Sequence, residues 1–410
     1  MKKKEIENIN DFIQWLYLNV NFITITCSDT DMALRIFSVL NARGLPLHAI
    51  DVFKVELLKK LAKEKDQEEF VYRWNALRQK CSENESKFPK RKENKREKNA
   101  AEILFSWYLT YLHPVTSGKN MEERLADQFE RLNKTPLEYL KGVEDFYNAY
   151  CEVLEMQDRH AHLLSYLEDN YWRVILCASI LHDYSESKIE DLKELLVKFY
   201  YQHWVAKKPK DQREQTCCNI IKALKEKESI EHIVSIATKN LNEYSVTQDF
   251  KKNLRDDHLY EKHKKNSKSS WLKPILILVE YFMSDDDCPK CIQMDKNLQV
   301  EHILPQEPTL SSQWAKDFSE EERERYTHSL ANLTLLGGKK NKEASNLDFK
   351  DKKKIYMGEE IRLNKKRPYR VMTCYKMTID IAHHYTEWTL KSLEKREKDL
   401  MSIIESVLTL

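Results

Sequence analysis

Six glycines are spread over 410 residues, and that scarcity constrains the fold more than any single motif does. Glycine supplies the left-handed and sharply bent backbone that tight hairpins and phosphate-cradling loops need. Neither G-x-x-x-x-G-K-[ST] nor G-x-G-x-x-G can be written anywhere in the chain, so the P-loop and dinucleotide fingerprints are excluded. With few sharp turns available, helices are favoured over hairpins, and the expected fold class is mainly α.

Hydrophobic residues make up 41% and charged residues 33%, which suits two to four domains with charged surfaces. No apolar run approaches the roughly 18–20 residues of a membrane span. The opening MKKKEIENINDF is basic but has no apolar signal-peptide core, so a cytoplasmic location is expected. Lys and Arg number 68 against 66 Asp and Glu, a net charge of +2; any nucleic-acid footprint must therefore be local. Nine cysteines, an odd number scattered from Cys27 to Cys374, fit a reducing compartment better than a disulfide framework.

Along the chain, NFITITC at 21–27 alternates and reads as a short strand, followed by helices through MALRIFSVLNARG and over about 46–64. Residues 87–98, KFPKRKENKREK, hold seven Lys or Arg against two Glu and read as a basic linker. Amphipathic helical patterns dominate from 99 to 270, a scaffold or partner surface. After the apolar helix WLKPILILVEYFM the texture changes to short elements, and a long charged helix closes the chain at about Thr386–Val407. The expected organisation is 1–86, the linker 87–98, a helical middle 99–270 and a last unit 271–410.

The last unit carries the chemistry. VEHILPQ at 300–306 sets Glu301 beside His302 on a strand, NLTLLGG reads as a second strand and turn, and KKNKEASN reads as a helix start. Asn332 follows His302 by 30 residues and Asn341 follows Asn332 by 9. Strand, loop, strand, helix, with His on the first strand and Asn on the helix, is the layout of a ββα-metal nuclease. Mg²⁺ takes one or two protein oxygens and leaves room for water and phosphate, which Glu301 and the Asn341 amide oxygen can supply. A neutral imidazole at His302 can take a proton from an attacking water. Adjacent strand residues point oppositely, so one of Glu301 and His302 is expected to leave regular strand geometry near Pro305.

VEHILPQ, LANLTLL and GKKNKEASN together resemble the HNH nuclease domain of GmrSD-type restriction enzymes, bacterial enzymes that cut phage DNA, including modified DNA. The order and the nine-residue Asn spacing also resemble the HNH domain of RNA-guided CRISPR nucleases. The resemblance implies His302 as general base, Glu301 and Asn341 as ligands of Mg²⁺ or Mn²⁺, and Asn332 as the brace of the His-bearing loop. Asn346 matches a further amide of the pattern, and TEWTLKSLEKREKDL resembles the closing helix with its Trp and Arg. RIFSVLNARGLPLHAIDVFKVELL, 35–58, resembles the later part of that family's N-terminal nucleotide-dependent domain, whose Asp-Gly-Gln-Gln-Arg motif has no counterpart here. The implied function is a DNA endonuclease in antiviral restriction, with a separate subunit as the candidate source of the nucleotide-dependent half. The alternative is a non-catalytic DNA-binding or regulatory subunit.

Other motifs have two readings each. Lys339, Lys340 and Lys342 flank Asn341 and are either phosphate contacts or solvated lysines. RLNKKRPYR at 362–370 is a basic patch with no assignable groove. Cys288 and Cys291 form one C-x-x-C, which lacks the second pair a structural zinc needs and is expected to be a turn. Asn41, Arg43 and Asp51 form a helix joint, with Arg43 and Asp51 a candidate pair, or part of a nucleotide site. Cys217–Cys218 are expected to be buried, His160 and His162 are poorly spaced for one ligand face, and His383–His384 is expected at the surface.

Overall fold

The computed structural model describes residues 8–410 apart from 22–23, 28–31, 33–35, 37–48, 90–91, 94–95, 132, 266–269, 285, 287 and 360–374. It is mainly helical. Asn41, Arg43, Cys374 and the 362–370 patch lie outside the described residues, as does most of the helix expected over 32–44.

Helix starts follow local chemistry. Asn99 with Glu102 and Thr135 with Glu138 form capping boxes, the second reinforced by Pro136 in the first turn; Asp158, Ser185 and Ser229 cap three more helices. The helices Pro136–Glu155, Tyr171–Leu181, Glu186–Val205 and Asp211–Lys225 bury Tyr150, Ile175, Phe199 and Ile220 in one large core. The helix expected over about 46–64 is present as Ala49–Lys59 and ends earlier than expected, before a separate helix, Glu64–Glu83. Asp51 pairs with Arg78, Oδ1 to Nη1 at 2.6 Å. Thr24–Cys27 is not a strand, because no second strand lies beside it among the described residues to take its backbone bonds. Within 87–98 two short strands, β1 (Lys92–Glu93) and β2 (Arg96–Glu97), pair antiparallel.

A second hairpin, β3 (Leu298–His302) and β4 (Leu333–Gly337), lies between two cores. Its register opposes Val300 to Leu335, His302 to Leu333 and Glu301 to Thr334. Opposed residues share a face. Leu298, Val300, Leu333 and Leu335 on the His302 face join the large helical core. On the Glu301 face, Leu336 joins a second core with Trp314, Phe349, Tyr356, Ile381 and Trp388. The closing helix, Leu390–Leu408, starts after Thr389, whose backbone N–H donates to Ser392 Oγ at 3.2 Å. Leu393 is in the second core, while Leu400, Ile404 and Leu408 are in the first, so this helix staples the two together. No helix of the described residues is long and apolar enough to cross a membrane.

Candidate functional site

Both Glu301 and His302 lie in regular β3, so neither leaves strand geometry as expected, and their side chains project to opposite faces. Glu301 is 3% exposed. Its Oε1 accepts from Lys352 Nζ at 2.7 Å and from the Tyr356 hydroxyl at 3.0 Å, and Lys352 also donates to the His302 carbonyl at 2.6 Å. Burial pushes the Glu301 carboxyl up and the Lys352 ammonium down, each opposed by the other's charge.

His302 faces the helical body. Its ring meets Tyr260 edge-on with centroids 4.3 Å apart, and His328 at 5.4 Å. Tyr260 belongs to the short helix Leu259–Lys265, and its backbone N–H donates to the His328 carbonyl at 3.0 Å. The His302 Nε2 atom is buried without a hydrogen-bond partner among the described residues, and Nδ1 lies 3.3 Å from the Gln306 amide nitrogen. Burial, reinforced by His328, Lys352 and Lys264, pushes its pKa down to about 3, so the ring is neutral at pH 7.

Asn332 is fully buried and clamps the segment leaving β3. Its Oδ1 accepts from Leu304 N–H at 2.7 Å, and its Nδ2 donates to the Leu304 carbonyl at 2.8 Å and the Thr327 carbonyl at 2.9 Å. Trp388 Nε1 reaches the same oxygen at 3.3 Å. Arg396 of the closing helix donates to the Ala331 and Leu333 carbonyls at 2.5 and 2.8 Å, fixing the entry to β4.

Asn341 sits on the helix Gly338–Ala344, packed on the hairpin, with Nδ2 donating to the Val300 carbonyl at 3.4 Å. Its nitrogen is thereby used and its amide oxygen left as the donor to any ligand. Lys339, Lys342 and Asn346 are exposed, whereas Lys340 is buried with its ammonium on the Ile355 carbonyl at 3.1 Å. The three lysines therefore do not form one outward cluster: helical periodicity turns the middle one inward. The structure gathers His302 and Asn332 about one loop and sets Asn341 against β3, while Glu301 is held apart by its own partners.

Tyr260, His328, Lys352 and Tyr356 were not legible as site residues. Lys352 lies within DKKK and Tyr260 within a polar stretch, so neither carried a sequence signal. Cys288 is exposed and Cys291 half-buried; the segment is held by His162 Nε2 on the Pro289 carbonyl at 2.9 Å and by Tyr166 on the Ile292 carbonyl at 2.8 Å. The described residues bring together one group of metal-capable side chains, Asp158, His160 and Glu190, and Lys193 already bridges both carboxylates. Cys217 and Cys218 are buried, and His383 and His384 are exposed.

A hairpin-and-helix unit with a sequestered neutral imidazole, set on a helical body, is the class of site these contacts define. Residues 244–403, which contain the whole of it, match the family described as GmrSD restriction endonucleases, C-terminal domain. The match points to a restriction endonuclease role, with DNA as the substrate class. Among curated proteins, none matches the chain.

Proposed function

We propose that the chain is an HNH-type endonuclease subunit that hydrolyses DNA phosphodiester bonds in antiviral restriction, with 271–410 as the nuclease unit and 99–270 as its helical support. The observation that carries this reading is His302, a neutral imidazole with an unpartnered Nε2 inside the family-matched span. A neutral ring can accept a proton from the attacking water, and an approaching phosphate anion raises its basicity. For Nε2 to act as the base, Nδ1 must carry the ring proton, which requires the Gln306 amide to present its oxygen by a half-turn. Tyr260 and His328 cover the ring, so productive binding of DNA displaces one of them. Asn332 positions the His302 loop through the Leu304 contacts. Lys339, Lys342 and Asn346 are exposed and available to phosphate oxygens.

Oxygen donors of the kind Mg²⁺ or Mn²⁺ prefers are present in the Glu301 carboxylate and the Asn341 amide oxygen, so the donor types fit, although Lys352 and Tyr356 already hold the Glu301 carboxylate. When bound, the ion neutralises charge developing on the phosphate. Lys352 competes with it for the same carboxylate. That buried pair favours a second reading, a DNA-binding or regulatory subunit that acts only with a nucleotide-dependent partner.

Plasmid nicking by wild type and His302→Ala, in Mg²⁺ and in Mn²⁺, separates the two. Loss of nicking in the variant supports the catalytic assignment, and equal activity refutes it. DNA binding that persists in EDTA, with no nicking by wild type in either metal, establishes the second reading.

A further inference from the structure

Away from the hairpin, a cavity of about 350 Å³ opens between the helices Glu186–Val205, Asp211–Lys225 and Leu259–Lys265. That is within the size range of small-ligand sites, roughly 300–1,000 Å³. Five Lys or Arg side chains line it against two carboxylates, Glu168 and Asp169. Three of the cations are committed: Arg213 to Asp169 at 2.9 Å, Lys208 to Asp249 at 2.7 Å, and Lys262 to Asp256. Lys207 and Lys210 are exposed and have no ion-pair partner among the described residues. The wall thus offers two uncommitted positive charges to a ligand.

His203 forms part of the cavity wall and is fully buried. Its Nε2 meets Asn240 Oδ1 at 2.7 Å, while Asn240 Nδ2 donates to the Gln212 carbonyl and to Thr216 Oγ1. The Asn240 oxygen is therefore the acceptor and His203 Nε2 carries the proton. Nδ1 is left as a bare lone pair, and it has no partner among the described residues. The atom is closed off from the cavity. The Glu168 carboxylate, exposed in the same wall, is the open acceptor for a ligand hydroxyl.

We propose that this cavity binds a small phosphate ester carrying free hydroxyls, such as a sugar phosphate or nucleoside monophosphate. Its phosphate lies on Lys207 and Lys210 and a hydroxyl donates to the Glu168 carboxylate. The site is separate from the hairpin but shares an element with it: Lys262 and His263 line the cavity, while Tyr260 of the same helix covers His302.

Isothermal titration of the full chain with adenosine 5′-monophosphate and with glucose 6-phosphate tests the assignment, with inorganic phosphate, adenosine and a short DNA duplex as further arms. At least one ester is expected to bind, and about tenfold more tightly than inorganic phosphate or adenosine. The double variant Lys207→Glu/Lys210→Glu is expected to weaken that binding about tenfold or more with an unchanged thermal melt, since both residues are exposed. Three results would overturn the proposal: neither ester binding at about 5 mM, ester binding unaffected by the double variant, or duplex binding alone lost in it. The titration repeated on His302→Ala reads binding without catalysis, so failure of the nuclease reading leaves this result standing.

Discussion

Replacing Lys352 with Met removes the cation that neutralises Glu301 beneath the hairpin while keeping most of the side chain's length. Glu301 is 3% exposed and keeps only the Tyr356 hydroxyl, at 3.0 Å, of its two described Oε1 donors. Breaking a buried pair by removing one partner costs about 3–5 kcal/mol. The carboxyl can escape by staying protonated, which at pH 7 costs roughly 1.4 kcal/mol per unit between pH 7 and its unfolded pKa near 4.5, about 3 kcal/mol. The two routes agree on a loss of about 3 kcal/mol at neutral pH. A carboxyl whose folded pKa is raised loses stability as pH climbs above the unfolded value, so the penalty shrinks to under about 1 kcal/mol at pH 5. Glu301→Gln in the Lys352→Met background removes the stranded charge and is expected to recover most of the loss. Urea unfolding followed by tryptophan fluorescence reads this directly, since Trp314 and Trp388 lie in the core on the Glu301 face. A single-variant loss below about 1 kcal/mol at pH 7.5, or a loss independent of pH, would refute the assignment of this pair as a buried, charge-compensating lock.

Two further outcomes follow from the same contacts. Asn332→Ala strands the Leu304 N–H and carbonyl and the Thr327 carbonyl, a loss of about 3–9 kcal/mol at about 1–3 kcal/mol per buried unsatisfied group. Asn332→Asp, which turns a donor into an acceptor against two carbonyls, is expected to be at least as damaging; a near-neutral Asp variant in thermal melts would sink the clamp. Burial pushes the pKa of His203 and of His263 down to about 4, reinforced by Arg213 and Lys208 at the first and by Lys207, against Asp256, at the second. Both rings are neutral in the fold and bind protons only when unfolded, so stability falls as pH drops from about 6.5 towards 4, by roughly 2 kcal/mol per ring at pH 5. Melts between pH 7.5 and 5 measure the slope, which His203→Gln should flatten by about a third, since His302 contributes a similar share; an unchanged slope counts against the assignment.

The sequence by itself determined the mainly helical architecture, the helix starts and the place of the hairpin. Those properties are local: few glycines, capping residues such as Asn99 and Thr135, and the apolar alternation of β3 and β4 act within a turn or a strand. The family match of residues 244–403 was legible for the same reason, since His302, Asn332 and Asn341 carry their spacing in the chain. What surrounds His302 was not legible, because Tyr260, His328 and Lys352 come from three separate elements and have no shared spacing. Tertiary structure also decided which lysine is a surface charge: Lys339 and Lys342 face solvent, whereas Lys340 and Lys352 turn inward to a carbonyl and a carboxylate. A one-dimensional pattern records residue types; whether a cation meets solvent, a carboxylate or a phosphate depends on the packing of elements far apart in the chain. For Glu301 that packing supplied Lys352 as its partner, on the face away from His302.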